Sequence, residues 1–104
     1  MRTLLFWVAC IAALALPISE VLAQDAAALR ARSLAATCAN CHGTDGRTQG
    51  EAMPGLAGRD REQIASALRA FRDGKRPATV MQQLAKGFTD QQIDTLAAYF
   101  AAVK

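Results

Sequence analysis

Apolar residues along the 104-residue chain fall into one unbroken run followed by short periodic stretches. The run, Leu4 to Leu16, contains no charged residue. Beyond it, Ala27, Ala31, Leu34 and Cys38 recur at i, i+4, i+7 and i+11. That spacing is one face of a helix, which Asp25 can cap and which ends near Thr37. Ile64, Leu68 and Phe71 form a second stripe, opened by a capping box of Asp60 with Gln63 and stopped by Gly74. Pro77 introduces a short helical segment, Ala78 to Ala85, ended by Gly87. A further capping box, Thr89 with Gln92, starts a terminal helix whose inward positions are Ile93, Leu96, Ala97, Phe100 and Val103. Between the first two helices runs a glycine-bearing loop, Gly43 to Arg59, containing Pro54 and the turn sequence Thr44-Asp45-Gly46. No alternating strand pattern, internal repeat or low-complexity stretch interrupts this order, so the pattern predicts a small all-α domain.

The leading run has a different meaning. Met1 and Arg2 make a positive start, Pro17 breaks the run, and Val21-Leu22-Ala23 offers small residues at the positions a signal peptidase reads. Charge, apolar core and small-residue site in that order make residues 1–23 an expected secretory signal peptide, cleaved after Ala23. A membrane anchor is the alternative, but the run falls short of the roughly 20 apolar residues that a spanning helix needs. Cys10 would serve as a lipid-modified residue only after an implausibly short signal, so it is expected to be discarded. Residues 24–104 remain as one small domain without a membrane span, of a size that often leans on a disulfide, metal or cofactor. Loss of Arg2 and Glu20 leaves the formal charge at +3. This mild basicity suits an acidic partner. It excludes the nucleic-acid class, since no Lys/Arg run with interleaved aromatics is present.

The chemistry concentrates in Cys38-Ala39-Asn40-Cys41-His42, which holds the single histidine of the chain and both cysteines of residues 24–104. This is the C-x-x-C-H spacing of covalent haem attachment. Two thiols one helical turn apart can add to two vinyl groups, and a histidine directly after the second thiol lies under the iron as proximal ligand. A structural zinc site would need four ligands, two of them carboxylates here. A thioredoxin-like dithiol would follow a strand, and none is predicted before Cys38. A plain disulfide leaves His42 without a role. The expectation is one haem c, joined through Cys38 and Cys41 with iron on His42.

With one histidine, a bis-histidine haem is excluded within a single chain. Methionine is the remaining common sixth ligand, and Met53 and Met81 are available after the signal. Met53 sits on the loop leaving the proximal side, whereas a helix separates Met81 from His42 and lets the chain travel round the macrocycle. Met81 is therefore the expected ligand and Met53 a packing residue. Iron saturated by His42 and Met81 exchanges electrons without making bonds, which points away from an enzyme acting alone and towards a periplasmic electron carrier. A haem-based ligand binder or sensor is the alternative, should Met81 not ligate.

The segment from Leu34 to Gly46 resembles the haem-attachment region of small bacterial class I cytochromes c, of the c553 and c4 kind, and Pro54-Gly55-Leu56-Ala57-Gly58 resembles their following loop. The resemblance extends through Leu96-Ala97-Ala98-Tyr99-Phe100. It implies an all-α class I fold wrapped around one covalent haem, with the Pro54 carbonyl accepting a hydrogen bond from the His42 imidazole. Phe71 to Met81, followed by Leu84-Ala85-Lys86-Gly87-Phe88, is similar to the cytochrome subunit of flavocytochrome c sulfide dehydrogenase. That similarity implies Met81 as axial ligand and a flavoprotein subunit as electron donor. Some such subunits carry two haem domains, whereas this chain has one C-x-x-C-H. A freely diffusing shuttle to a terminal oxidase is the competing role, with Arg47, Arg59, Lys75, Arg76 and Lys86 steering an acidic redox partner.

Overall fold

The computed structural model describes residue 20 and residues 22–104, which belong to two compact units, Met1–Arg30 and Ala31–Lys104. The expected signal segment, Cys10 included, lies outside the described residues except for residues 20, 22 and 23. In the first unit, residues 22–30 are helical and exposed. Asp25 therefore lies within helix rather than capping it, because the helix-favouring Leu22 and Ala23 extend the turn ahead of it. No helix among the described residues is long and apolar enough to cross a membrane.

The second unit opens with helical residues 31–36 (α1), then a single turn Ala39–His42 (α2) and a 3-10 turn Thr44–Gly46. Helices Arg61–Arg72 (α3), Met81–Ala85 (α4) and Asp90–Ala101 (α5) follow. The described residues contain no strand. The core gathers Ala35, Ile64, Ala65, Leu68, Ile93, Leu96, Ala97 and Phe100. The stripes of α3 and α5 are thus recovered, with Phe71 and Val103 half-buried at their margins. On the first stripe, Ala31 and Leu34 of α1 and Cys38 just beyond it are half-buried, and Ala35 is the residue that goes fully inside. Methyl-sized side chains at 35, 65 and 97 let the helices of this cluster approach closely.

The helix ends explain the connections. The Asp60 carboxylate accepts from the Gln63 amide at 3.0 Å. Thr89 and Gln92 complete a reciprocal box at 3.2 and 2.9 Å, which satisfies two orphan donors at the start of α5. At the end of α3, Gly74 takes φ 71°, and the Gly74 and Lys75 amides donate to the Phe71 and Ala70 carbonyls at 3.2 and 2.9 Å, a Schellman stop. Pro77 does not start a helix. The β-branched pair Thr79-Val80 resists the helical rotamer, so α4 begins only at Met81, with the Gln83 and Leu84 amides closing onto the Val80 carbonyl. Along the α3–α5 seam, Arg69 reaches Asp94 at 2.7 Å and Arg72 reaches Asp90 at 2.9 Å. The Arg72 guanidinium holds the Asp90 carboxyl below its ordinary range. Its small stabilising effect is present at neutral pH and lost as pH falls through the lowered value, and full exposure keeps it weak.

The loop after α2 is pinned rather than slack. Gly46 turns with φ 77°, and its carbonyl accepts from the Leu56 and Ala57 amides at 2.8 and 3.2 Å. The Gly58 amide donates to the Phe100 carbonyl at 2.9 Å. A Cβ at position 46 would lie 2.8 Å from Leu56 Cβ and 2.9 Å from Phe100 Cδ1, whereas one at Gly50, also left-handed, meets nothing within 4 Å. Gly46→Ala should therefore lower unfolding free energy by about 3 kcal/mol or more, the left-handed penalty plus overpacking. Gly50→Ala should cost only about 1 kcal/mol. Guanidinium titration of both variants checks the difference, and equal midpoints would contradict the packing assigned to Gly46.

Candidate haem site

Position 38 closes the end of α1. The Cys38 amide donates to the Ala35 carbonyl at 3.0 Å, and the Thr37 hydroxyl caps the Leu34 carbonyl at 2.8 Å. The chain then makes the single turn α2, in which the His42 amide donates to the Cys38 carbonyl at 2.9 Å and the Cys41 amide to the same oxygen at 3.3 Å. Residues 38, 41 and 42 consequently stand at i, i+3 and i+4, which brings them to one side of the turn. Cys38 is half-buried against the core and Cys41 is exposed. The two are not joined in a disulfide. Burial pushes the Cys38 thiol up, opposed by its contact with Thr37 and reinforced by Cys41, so the residue stays a thiol near neutral pH.

His42 is the buried polar side chain of the described core, 6 % exposed. Its Nδ1 lies 2.7 Å from the Pro54 carbonyl oxygen. A carbonyl only accepts, so Nδ1 carries a proton and donates, which leaves Nε2 as the ring nitrogen not engaged by Pro54. Gly43, at φ 77°, releases the chain from α2 immediately afterwards. The loop pinned at Gly46 then brings Pro54 back to the ring.

The two methionines occupy different surroundings. Met81, the first residue of α4, is half-buried and packs on the same core cluster that Cys38 borders. Its neighbours Val80 and Leu84 are 54 % and 49 % exposed, an apolar surface that a flat hydrophobic group would cover. Met53 is exposed and lines a polar groove with Cys41, Thr44, Arg47 and Thr48. That groove takes in Cys41 from the C-x-x-C-H turn but none of Cys38, His42 or Met81. Among the described residues, no three His, Cys, Asp or Glu side chains are grouped to hold a metal ion. A zinc cage on Cys38, Cys41 and His42 thus lacks its donors, whereas two thiols, an imidazole with a free lone pair and a soft thioether fit haem c. Iron ligation by nitrogen and sulfur is the chemistry such a donor set supports.

Two features of the neighbourhood escape the hydrophobic pattern. Asp45 adopts φ 54° and ψ 26° and accepts a hydrogen bond from the Tyr99 hydroxyl at 2.5 Å. Arg47 lies 3.9 Å from the same carboxylate and donates to the Lys104 carbonyl. A signal was present in Asp45 standing directly before Gly46 in the turn sequence, and in a tyrosine lying off the buried stripe of α5.

Comparison with known proteins agrees with this geometry. Residues 25–100 match the family described as cytochrome c oxidase, cbb3-type, subunit III. The chain is 42% identical over 71 residues to the cytochrome subunit of sulfide dehydrogenase from Chlorobaculum tepidum, covering 68% of this chain and 64% of that one. It is 38% identical over 69 residues to cytochrome c-554(548) from Halomonas halodenitrificans, covering 64% and 83%. The solved structure of Acidithiobacillus ferrooxidans cytochrome c4 superposes with a TM-score of 0.68 at 32% identity, over 75% of this chain and 51% of that one. The chain thus spans a little under two thirds of the sulfide dehydrogenase subunit and about half of cytochrome c4. Sharing both sequence and helical fold with these proteins, the chain belongs to the cytochrome c family, with one covalently attached haem c as its cofactor.

Proposed function

We propose that the chain is a periplasmic one-electron carrier in which Cys38 and Cys41 hold the haem, His42 and Met81 ligate its iron, and residues 1–23 direct export. The observation that carries this reading is the buried imidazole of His42, proton-down on Pro54, one residue after the second thiol. Bound haem supplies a reversible one-electron couple, and everything else is set by the chain. Pro54 holds the His42 proton at Nδ1, which fixes the ring orientation and leaves Nε2 as donor to iron. Met81, steadied by the core, offers a thioether that favours the reduced state and raises the potential. Iron held by both His42 and Met81 would have no place left for small ligands such as oxygen, in keeping with electron transfer rather than catalysis.

For the partner, the similarity to the sulfide dehydrogenase cytochrome subunit supports a flavoprotein that oxidises sulfide as donor. A diffusing shuttle to a terminal oxidase is the competing role. In either, Arg59, Lys75, Arg76 and Lys86 are exposed and form no ion pair among the described residues. They are available to steer an acidic partner. Arg76 is propped over the Phe71 ring at 4.7 Å, which holds its charge outward at modest entropic cost. Arg47, tied to Asp45 and Lys104, contributes less than the chain order implies.

Expression of the full chain with a cytochrome c maturation system tests the cofactor assignment. Periplasmic haem should survive acid-acetone extraction, and the weak far-red Met–Fe(III) band should vanish in Met81→Ala. That variant should also bind carbon monoxide when reduced, while the parent resists it at neutral pH. Rapid, complete carbon monoxide binding by the parent would favour a ligand sensor, and an unchanged Met81→Ala spectrum would remove Met81 from the iron.

The partner is tested separately. A permanent flavoprotein subunit should co-purify with the tagged chain, and a shuttle should not. Lys75→Glu with Lys86→Glu should slow reduction by an acidic donor about tenfold at low ionic strength, the gap closing as salt screens it. A salt-independent rate would remove these lysines from the docking surface.

A further inference from the structure

Asp45 holds an unusual position for its chemistry. Among the described residues it is the one non-glycine at positive φ, at 54°, a conformation that aspartate tolerates better than most residues but does not prefer. A glycine would meet the backbone requirement without strain. What aspartate adds is a carboxylate, and Tyr99 on α5 donates its hydroxyl to Oδ1 at 2.5 Å. Tyr99 is itself fixed, edge-on to the core residue Phe100 with ring centroids 5.3 Å apart. Its hydroxyl is held above its ordinary range, first by the bond to Asp45 and then by burial, so it remains a donor throughout the physiological range.

From Asp45 the contacts lead to the imidazole. The turn closes through the Gly46 amide to the Gly43 carbonyl at 2.9 Å and the Arg47 amide to the Thr44 carbonyl at 3.0 Å. The Gly46 carbonyl, directly after Asp45, receives the Leu56 and Ala57 amides. Leu56 is two residues from Pro54, whose carbonyl meets His42 Nδ1 at 2.7 Å. Resting on the ligation proposed above, we infer that Asp45 and Tyr99 form a positioning pair that sets the His42–Pro54 hydrogen bond and, through it, the electron richness of the imidazole offered to iron. The tie runs from the rigid core of α5 to the His42 ring by way of this turn, with Arg47 lying more loosely, 3.9 Å from the same carboxylate. A shorter, better-aligned bond to Pro54 gives the ring more imidazolate character, which stabilises ferric iron.

The discriminating variant is Tyr99→Phe in the matured, full-length protein, because it removes one hydroxyl and leaves the carboxylate charge and the aromatic packing. Two quantities are read: solvent exchange of the His42 Nδ1 proton by NMR of the reduced protein, and the midpoint potential. Exchange should quicken roughly two- to tenfold, the effect of losing one supporting hydrogen bond, and the potential should shift upward. Asp45→Asn keeps an acceptor for Tyr99 and tolerates the left-handed turn, so its exchange should stay near the parent's, while Asp45→Ala should lose protection. If the pair acted only through charge, Tyr99→Phe would leave the carboxylate less neutralised and move the potential downward, overturning the inference. Unchanged exchange and potential, even with a lowered unfolding midpoint, would overturn it equally. A parent protein with haem attached but no hydrogen-bonded Nδ1 proton would instead bring down the ligation reading on which the inference rests.

Discussion

A buried imidazole must be paired, and the rest of this small domain is arranged around the pairing of His42 with Pro54. An unpaired ring nitrogen at this depth would cost about 1–3 kcal/mol. It would also leave the tautomer undetermined. By accepting from Nδ1 at 2.7 Å, the Pro54 carbonyl settles which nitrogen faces outward and which way the ring turns. Proline suits the position, because its fixed φ gives the carbonyl a narrow range of directions. The loop between them exists to close this contact. Its glycines at 43 and 46 make two of its left-handed turns, where an added Cβ would collide with neighbouring atoms, and the Gly46 carbonyl gathers the returning backbone at Leu56 and Ala57.

Much of this was legible before any coordinates, and for identifiable reasons. The C-x-x-C-H cluster is a local pattern: its spacing on a helical turn dictates that residues 38, 41 and 42 share a side. The stripes at Ile64, Leu68, Ile93, Leu96 and Phe100 are equally local, set by helical period. What sequence periodicity misjudged is instructive. Ala35 outranks Ala31 and Leu34 in burial because small residues sit where helices come closest, and hydrophobicity alone undervalues an alanine. Pro77 was expected to open a helix, yet Thr79-Val80 delays α4 until Met81. Asp25 carries the composition of a cap but stands inside a helix that begins earlier. The Asp45–Tyr99 bond spans 54 positions, a separation across which no periodic signal passes.

The domain's economy also bears on its cofactor. A chain of this length buries only about 60% of the surface its unfolded form exposes, and its core is built largely from alanine, isoleucine and leucine of three helices. Val80 and Leu84 remain at the surface beside Met81, where water gains nothing from them. Such residues are an energetic liability in a bare chain of this size and an asset once an apolar macrocycle lies against them. With a haem held by Met81 as proposed, the same side chains that look misplaced in the polypeptide alone would join the core of the holoprotein.

That reasoning separates two tasks that share one helix. α5 supplies Ile93, Leu96, Ala97 and Phe100 to the core and, from a neighbouring face, Tyr99 to the loop. The core face tolerates no polarity, so any control over the proximal side must come from residues off the stripe. Tyr99 is such a residue, half-buried, aromatic enough to pack on Phe100 and polar at its tip. Its hydroxyl reaches a carboxylate held in a backbone conformation that the residue itself does not prefer. The preference is overridden because the turn is pinned on both sides, by Gly43 before it and by the amides received at Gly46 after it. On the inference drawn above, packing of the terminal helix and orientation of the imidazole are thereby linked: a change that loosens α5 would reach His42 through Tyr99 and Asp45, and Cys38 only through the core cluster it borders.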